Sequence, residues 1–184
     1  MGRLLDALAH LDTSRLRPLV DGDVDWMVAA GDDADLARWN GIVSPLTRQA
    51  ATDLVTRRLE EWETDSRATF AVVRAGVAGG YLSLRVAWPR GIGEVGYWLL
   101  RSHRGYGLMT AAVIDVRDWA LDHLGLTRVQ SGVQPGNHAS QAVLHRAGFQ
   151  REGLLRNWDR LSGVLHDEWM FSYVPDDRET SSTG

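Results

Sequence analysis

The sequence predicts an α/β (α+β) protein, in which a mixed, mostly antiparallel twisted sheet contains one central parallel strand pair and carries helices on both faces. Three observations support this. Residues 69–86 and 164–174 show the period-two alternation of half-buried strands. Met109, Ala112, Val113, Val116, Trp119 and Ala120 fall on one stripe of a long helix. That helix lies between strands beginning at Glu94 and Arg128, and such a crossover makes the two strands parallel.

Taken in order, Leu4, Leu5, Leu8 and Leu11 fall at helical spacing and make a short amphipathic helix, with a face for the body of the protein or for a second subunit. Arg15 to Val20 reads as a short strand, followed by the Asp-rich stretch Asp21 to Asp25 and a helix around Val24 to Ala30. Thr47 is placed to cap a helix whose apolar stripe is Ala51, Leu54, Val55, Leu59 and Trp62. Phe70 and Val72, then Val77 to Val86, form an antiparallel pair turned at Ala75-Gly76. Pro89 and Gly91 turn the chain into a strand from Glu94 to Leu100, and the long helix follows from Gly107 to Leu124, ended by Gly125. Arg128 to Val133 is the next strand, Asn137 to Ala147 the next helix, and residues 149–161 and 164–174 a closing hairpin around Ser162-Gly163. These elements fit one domain of residues 1–174, while residues 175–184, rich in Asp, Ser and Thr, read as a disordered tail.

Composition removes several kinds of chemistry. The chain has no Cys, and all 20 basic residues are Arg. Cysteine nucleophiles, thiolate metal sites, lysine Schiff bases and lysine-dependent phosphate loops are therefore excluded. His138 and His145 can share a helical face, but no third ligand accompanies them, so no metal is expected. No run of about 18 uncharged apolar residues exists and no signal-like segment opens the chain, which gives the expectation of a cytoplasmic protein with no membrane partner. The net charge of −4 argues against nucleic acid, yet it is unevenly placed, at −6 over residues 1–66, +6 over 67–160 and −4 over 161–184. A basic middle suits a polyanionic ligand, and acidic flanks suit a cationic partner beside it.

The segment richest in chemistry is EVGYWLLRSHRGYGLMTAAV, Glu94 to Val113. A strand ends, Arg104-Gly105-Tyr106-Gly107 turns tightly, and a helix starts at once, so several backbone N–H groups converge at a helix N-terminus. Such a turn suits a diphosphate, to which Arg101 and Arg104 can add charge-assisted hydrogen bonds. The dinucleotide fingerprint fails because Thr110 stands where a third Gly is needed.

These residues resemble the GNAT superfamily of N-acetyltransferases, and within it the RimJ/RimL type that acetylates ribosomal-protein N-termini. Arg104-x-x-Gly107-x-Met109 is similar to the family's R/Q-x-x-G-x-G/A motif except at its last position, and Gly105 to Thr110 is similar to that branch in wording. Asn137, Ser140, Val143, Leu144 and Ala147-Gly148-Phe149 resemble the family's N-x-x-S…G-F segment, and Ser14 to Pro18 its first strand. The resemblance spans roughly residues 13 to 174. It implies that acetyl-CoA lies where the central parallel strands splay apart, with its diphosphate on Arg104, Gly105, Tyr106, Gly107, Leu108, Met109 and Thr110. The pantetheine arm is then expected along the backbone of Trp98, Leu99 and Leu100 with Asn137 beside it, and the outer phosphate near Arg146 and Arg151. Pro135, which lacks an N–H, and Gly96, suited to a bulge or a close ligand approach, both fit a splayed pair.

Transfer needs a free amine, a stabilised oxyanion and a protonated leaving thiolate. Backbone N–H groups at a bulge near Trp98 and Leu99 are the expected oxyanion donors. Glu94 reads either as the general base or as a surface carboxylate at a strand start, and Ser140 as a donor to the sulfur. Leu144 occupies the position where many relatives have an acidic Tyr. An α-amine is easier to deprotonate than a lysine by about 3.5 kcal/mol, so an N-terminal or other low-pKa amine is the expected acceptor. The alternatives are another acyl-CoA, a small-molecule amine such as an antibiotic or polyamine, and a CoA-binding sensor without catalysis. Trp26 and Trp39 are expected to line the acceptor pocket, Trp119 to sit in the core, and Trp158 and Trp169 to face each other across the last hairpin. His103 is read as a loop residue, solvated or against phosphate. The opening helix carries the one hint of a homodimer.

Overall fold

The period-two segments become the strands of one sheet in the computed structural model, which describes residues 2–177. The strands are β1 (Leu16–Pro18), β2 (Arg67–Arg74), β3 (Val77–Ala87), β4 (Ile92–Leu99), β5 (Arg128–Val133), β6 (Gln150–Leu161) and β7 (Val164–Tyr173), in the spatial order β1-β2-β3-β4-β5-β7-β6. All neighbours are antiparallel except β4 and β5. The helices are α1 (Arg3–Ala7), α2 (Val24–Val28), α3 (Ala34–Asn40), α4 (Arg48–Glu63), α5 (Leu108–Asp122) and α6 (His138–Arg146).

On one face, α5 sets Met109, Ala112, Val113, Val116 and Trp119 against Phe70, Leu82, Leu84, Val95 and Val129, all buried. Phe70 is held edge-on between Trp62 and Trp119, at ring distances of 5.4 and 5.9 Å. The opposite face carries a smaller cluster, in which Met27 of α2 and Ala51 and Val55 of α4 cover Ala71 and Tyr81. Thr47 accepts from the Ala50 N–H at 3.2 Å, the cap expected for α4.

The opening leucine stripe packs within the chain. Leu4 and Leu11 are buried, and the Trp119 indole donates to the Ala7 carbonyl at 2.8 Å. That part of the stripe is therefore spent on the body, while Leu5 is 40% exposed. Helix α3 was not expected, because its sequence ADLARWN has a weak apolar stripe. It forms because Asp33 accepts from the Asp35 N–H at its start and Gly41 takes a left-handed conformation at its end. In the expected disordered tail, Val174 N–H donates to Asp177, so the first residues form a turn; residues 178–184 lie outside the described part. No described helix is long and apolar enough to cross a membrane.

The feature that positions the site is the parallel pair. β4 and β5 match at Ile92 with Arg128, Gly93 with Val129 and Glu94 with Gln130, and then part.

Candidate active site

Beyond Glu94, strand β4 keeps its register with β3 but loses β5. Strand geometry then dictates which backbone groups face the opening, because alternate residues direct N–H and C=O to the same side. Leu100 N–H donates to Gly79 O at 2.9 Å, so the even-numbered residues turn toward β3. The odd-numbered carbonyls turn the other way: Val95 accepts from Ser131 Oγ at 2.9 Å, Tyr97 from Asn40 Nδ2 at 3.3 Å and Leu99 from Arg104 Nε at 2.9 Å. The N–H groups of Tyr97 and Leu99 accordingly face the opening. This corrects the expected roles of the Trp98 and Leu100 backbones, whose polar groups belong to the β3 ladder, and leaves Leu99 where it was placed. No bulge is needed, since β3 and β4 pair from Gly80–Leu99 to Ala87–Ile92 without a shift.

The opening is a cavity of about 380 Å³ walled by Leu36 and Trp39 of α3, Tyr97 and Trp98 of β4, and Asn137 and Ser140 of α6. At its mouth lies the turn into α5. Gly105 and Gly107 both have positive φ, 84° and 70°, a conformation that a side chain would strain. The helices α3, α4 and α6 are each capped by their own side chains, Asp33, Thr47 and Asn137. Helix α5 begins at Gly107 with no side-chain cap, and its first intrahelical bond is Ala111 N–H to Gly107 O. The N–H groups of Leu108, Met109 and Thr110 are thus left for an anion.

A second, smaller cavity of about 110 Å³ adjoins the first at the fork. Tyr97 and Ser140 lie on its α6 side, their hydroxyls 2.9 Å apart. Gly96, Gly132 and Glu168 lie on the other, where β4, β5 and β7 present alternate residues to the α2–α4 face of the sheet. Glu168 covers Gly132 so closely that a methyl group there would overlap its carboxylate. Burial, then the nearby Asp159 and Glu94 carboxylates, push the Glu168 pKa up to about 7. Burial also raises the Tyr97 phenol above its ordinary value, against the opposing hydrogen bond from Ser140. Glu168 and Tyr97 escaped the sequence reading. Glu168 becomes visible only through the register of β7 on β5, and Tyr97 through its contact with α6.

A third cavity, about 600 Å³, opens on the α2–α4 face and shares Asn40, Gly96 and Tyr97 with the small one. The gap, the small cavity in the fork and the larger chamber therefore adjoin one another through shared lining residues.

Residues 14–150 match the acetyltransferase (GNAT) domain model. The chain belongs to the GNAT acetyltransferase family. It is 41% identical over 86 residues to "Probable N-acetyltransferase YjcK" of Bacillus subtilis, a match that spans 46% of this chain and about half of that protein, 48%. Among solved structures, Mycobacterium smegmatis RimJ in complex with CoA-disulfide superposes with a TM-score of 0.80 at 23% identity, covering 88% of this chain and 82% of that one. A ribosomal L7/L12 α-N-protein acetyltransferase, RimL, in complex with coenzyme A gives 0.78 at 20%, covering 89% and 96%. At such identities the structures speak for the fold.

Within this GNAT fold the expected site residues separate into two groups. Trp98, Leu99, Arg104, Met109, Asn137 and Ser140 line the gap, and Leu108 and Thr110 stand with Met109 in the first turn of α5. Asn137 caps α6 by accepting from Ser140 N–H at 3.1 Å and also walls the gap. Tyr106 is 63% exposed, with the Arg74 guanidinium 4.0 Å from its ring center. Others lie elsewhere. Glu94 is paired with Arg85 at 2.8 Å and lines neither the gap nor the fork cavity. Arg104 is already committed to Asp33 at 2.6 Å, Asp35 at 3.0 Å and the Leu99 carbonyl, so it ties α3 to the turn. Arg146 is exposed on the last turn of α6, and Arg151 lies over the Trp169 ring at 4.5 Å. His103 is buried, its ring nitrogens 3.0 Å from Ser102 Oγ and 3.0 Å from the Val77 carbonyl, and does not face the turn. His138 lines the gap while His145 packs edge-on against Phe171. Trp39 lines the gap; Trp26 instead packs on Trp98, at 5.5 Å. Trp119 is in the core, and Trp158 is 56% exposed while Trp169 pairs with Leu154.

Proposed function

We propose that the protein transfers the acetyl group of acetyl-CoA to a primary amine, with a peptide or protein N-terminal α-amine as the acceptor class. The observation that carries this reading is the uncapped start of α5 at the mouth of a gap adjoining a fork cavity lined by the half-buried Glu168 carboxylate. The residues present suit an acyl-CoA. The free N–H groups of Leu108, Met109 and Thr110 would take the diphosphate, and beside the turn stand Arg74, over the Tyr106 ring, and Arg101, 71% exposed and held only at 3.8 and 4.0 Å by Asp33 and Asp35. The gap-facing N–H groups of Tyr97 and Leu99 would hold the pantetheine arm and the thioester oxygen.

In the reaction the amine nitrogen attacks the thioester carbon, the new amide bond forms and the carbon–sulfur bond breaks. Glu168 takes the amine proton, a role that suits a carboxyl group titrating near neutrality better than one with an ordinary pKa. The leaving thiolate takes a proton from the Tyr97–Ser140 hydroxyl pair, both of which line the gap with Asn137. This assigns the base to Glu168 in place of Glu94. An α-amine acceptor accords with the single moderate base and with the name of RimL.

Thiol release from acetyl-CoA, with a panel of amines and acyl-CoAs, tests the proposal. Faster reaction with a free α-amine than with an N-blocked, lysine-bearing peptide is expected. Binding of CoA with no turnover on any amine would favour a sensor, and faster lysine acetylation would reverse the acceptor class.

A further inference from the structure

The acceptor-side chamber has a wall of arginines. Arg57, Arg58 and Arg67 line it, against one lining carboxylate, Asp159. Arg58 donates to Tyr81 Oη at 2.8 Å and to Glu61 at 2.7 Å, and Arg67 lies beside the same Glu61. The Arg67 Nε is 3.2 Å from Glu61 Oε2 without the alignment of a hydrogen bond, so a buried guanidinium N–H is left unsatisfied. Burial and the neighbouring Arg58 and Arg85 hold Arg67 below the usual guanidinium pKa, the signature of crowded cations. Arg57 is exposed and makes no hydrogen bond or ion pair among the described residues. Arg58 and Arg67 therefore share the single Glu61 carboxylate, Arg57 pairs with none of the described residues, and a buried Arg67 donor is unsatisfied. Four of the acids in the first third of the chain are paired away from the chamber: Asp23 with Arg17, Asp25 with Arg48, and Asp33 and Asp35 with Arg104.

The adjoining fork cavity carries the opposite charge: Glu168 lines it, and Asp159, which lines the chamber, lies near enough to act on that carboxylate. A ligand reaching from the fork cavity into the chamber thus meets the Glu168 and Asp159 carboxylates and the guanidiniums of Arg57, Arg58 and Arg67. We infer that the acceptor is an amine whose carrier also bears an anionic group, a carboxylate or a phosphate, held by Arg57, Arg58 and Arg67 while the amine faces Glu168. This rests on the transfer reaction proposed above and specifies its substrate. It replaces the expectation of a purely cationic acceptor drawn from charge along the chain.

Three peptides with free α-amines, identical except for Asp, phosphoserine or Asn at the third residue, provide the test. Thiol release should show kcat/KM higher by about ten-fold for the Asp or phosphoserine peptide than for the Asn peptide, mainly through KM. Whichever of the two gains more identifies the anion. The preference should fall toward one in Arg57→Gln, an exposed and unpaired position, and in Arg67→Gln, and survive in Arg67→Lys. Equal rates for all three peptides, or a preference unchanged in both Gln variants, would overturn the inference while leaving acetyl transfer intact. Calorimetric binding of the same peptides to the CoA-loaded protein separates the two claims: a charge preference in binding with no thiol release would sustain the anion site and overturn the transfer reaction.

Discussion

The donor-side gap is walled largely by backbone groups whose direction follows from strand alternation and from a helix left without a cap. The acceptor-side chamber is walled by side chains of α2, α4, β2, β3 and β6, which meet only after folding. A backbone-built site tolerates changes in side chains so long as the turn and the fork persist. A side-chain-built site is retuned by single substitutions. Under the proposed function, the gap suits a ligand common to the whole fold, and the chamber is where one chain differs from another in its acceptor.

The largest expected effect tests the point where the halves meet. Glu168→Gln should lower kcat/KM by about 100-fold or more and abolish the rise of activity through about pH 7, measured as thiol release against pH. Its stability should respond in the opposite sense. The raised pKa favours the protonated folded state, so that contribution is complete below about 4.5 and is lost as pH rises through about 7, and the Gln variant should gain on the wild type in melting temperature above that pH. Next, Gly132→Ala should nearly match that loss of activity, because the new methyl displaces the Glu168 carboxylate. The same change at Gly96, where a methyl meets only Ser83 Oγ at 3.8 Å, should leave the fold intact and raise KM for the amine alone. A smaller effect, about ten-fold on kcat with little on either KM, is expected for Ser140→Ala. Smallest is Asp33→Asn, which loosens Arg104 and part of the α3 cap: a few-fold rise in KM for acetyl-CoA and about 1 kcal/mol of stability, read by initial rates and thermal unfolding.

The same division explains what could be read beforehand. Local patterns determined the strands, α5 and the parallel pair, and the Gly105–Gly107 turn was legible because only glycine fits there without strain. Ser140 and Asn137 were legible through their resemblance to the family's N-x-x-S segment, and the Asn137 cap on α6 is what holds both at the gap. Glu94 and Glu168 could not be told apart in sequence, since each is a strand carboxylate; an exposed partner, Arg85, engages the first, and the fork half-buries the second. Arg104 looked free for phosphate because its partners, Asp33 and Asp35, are about 70 residues away in a helix with a weak stripe. Asp33 before ALA-type helix formers and Gly41 after them was the signal that could have revealed that helix.

Trp98 belongs to both halves. It lines the donor gap and the acceptor chamber, stacked on Tyr81 at 5.8 Å with the rings 4° from parallel and tilted against Trp26. A partition common to two rooms cannot yield to an occupant of one without reshaping the other. The expected consequence is that CoA alone shifts the indole emission of the protein before any amine is present, which a fluorescence titration would read.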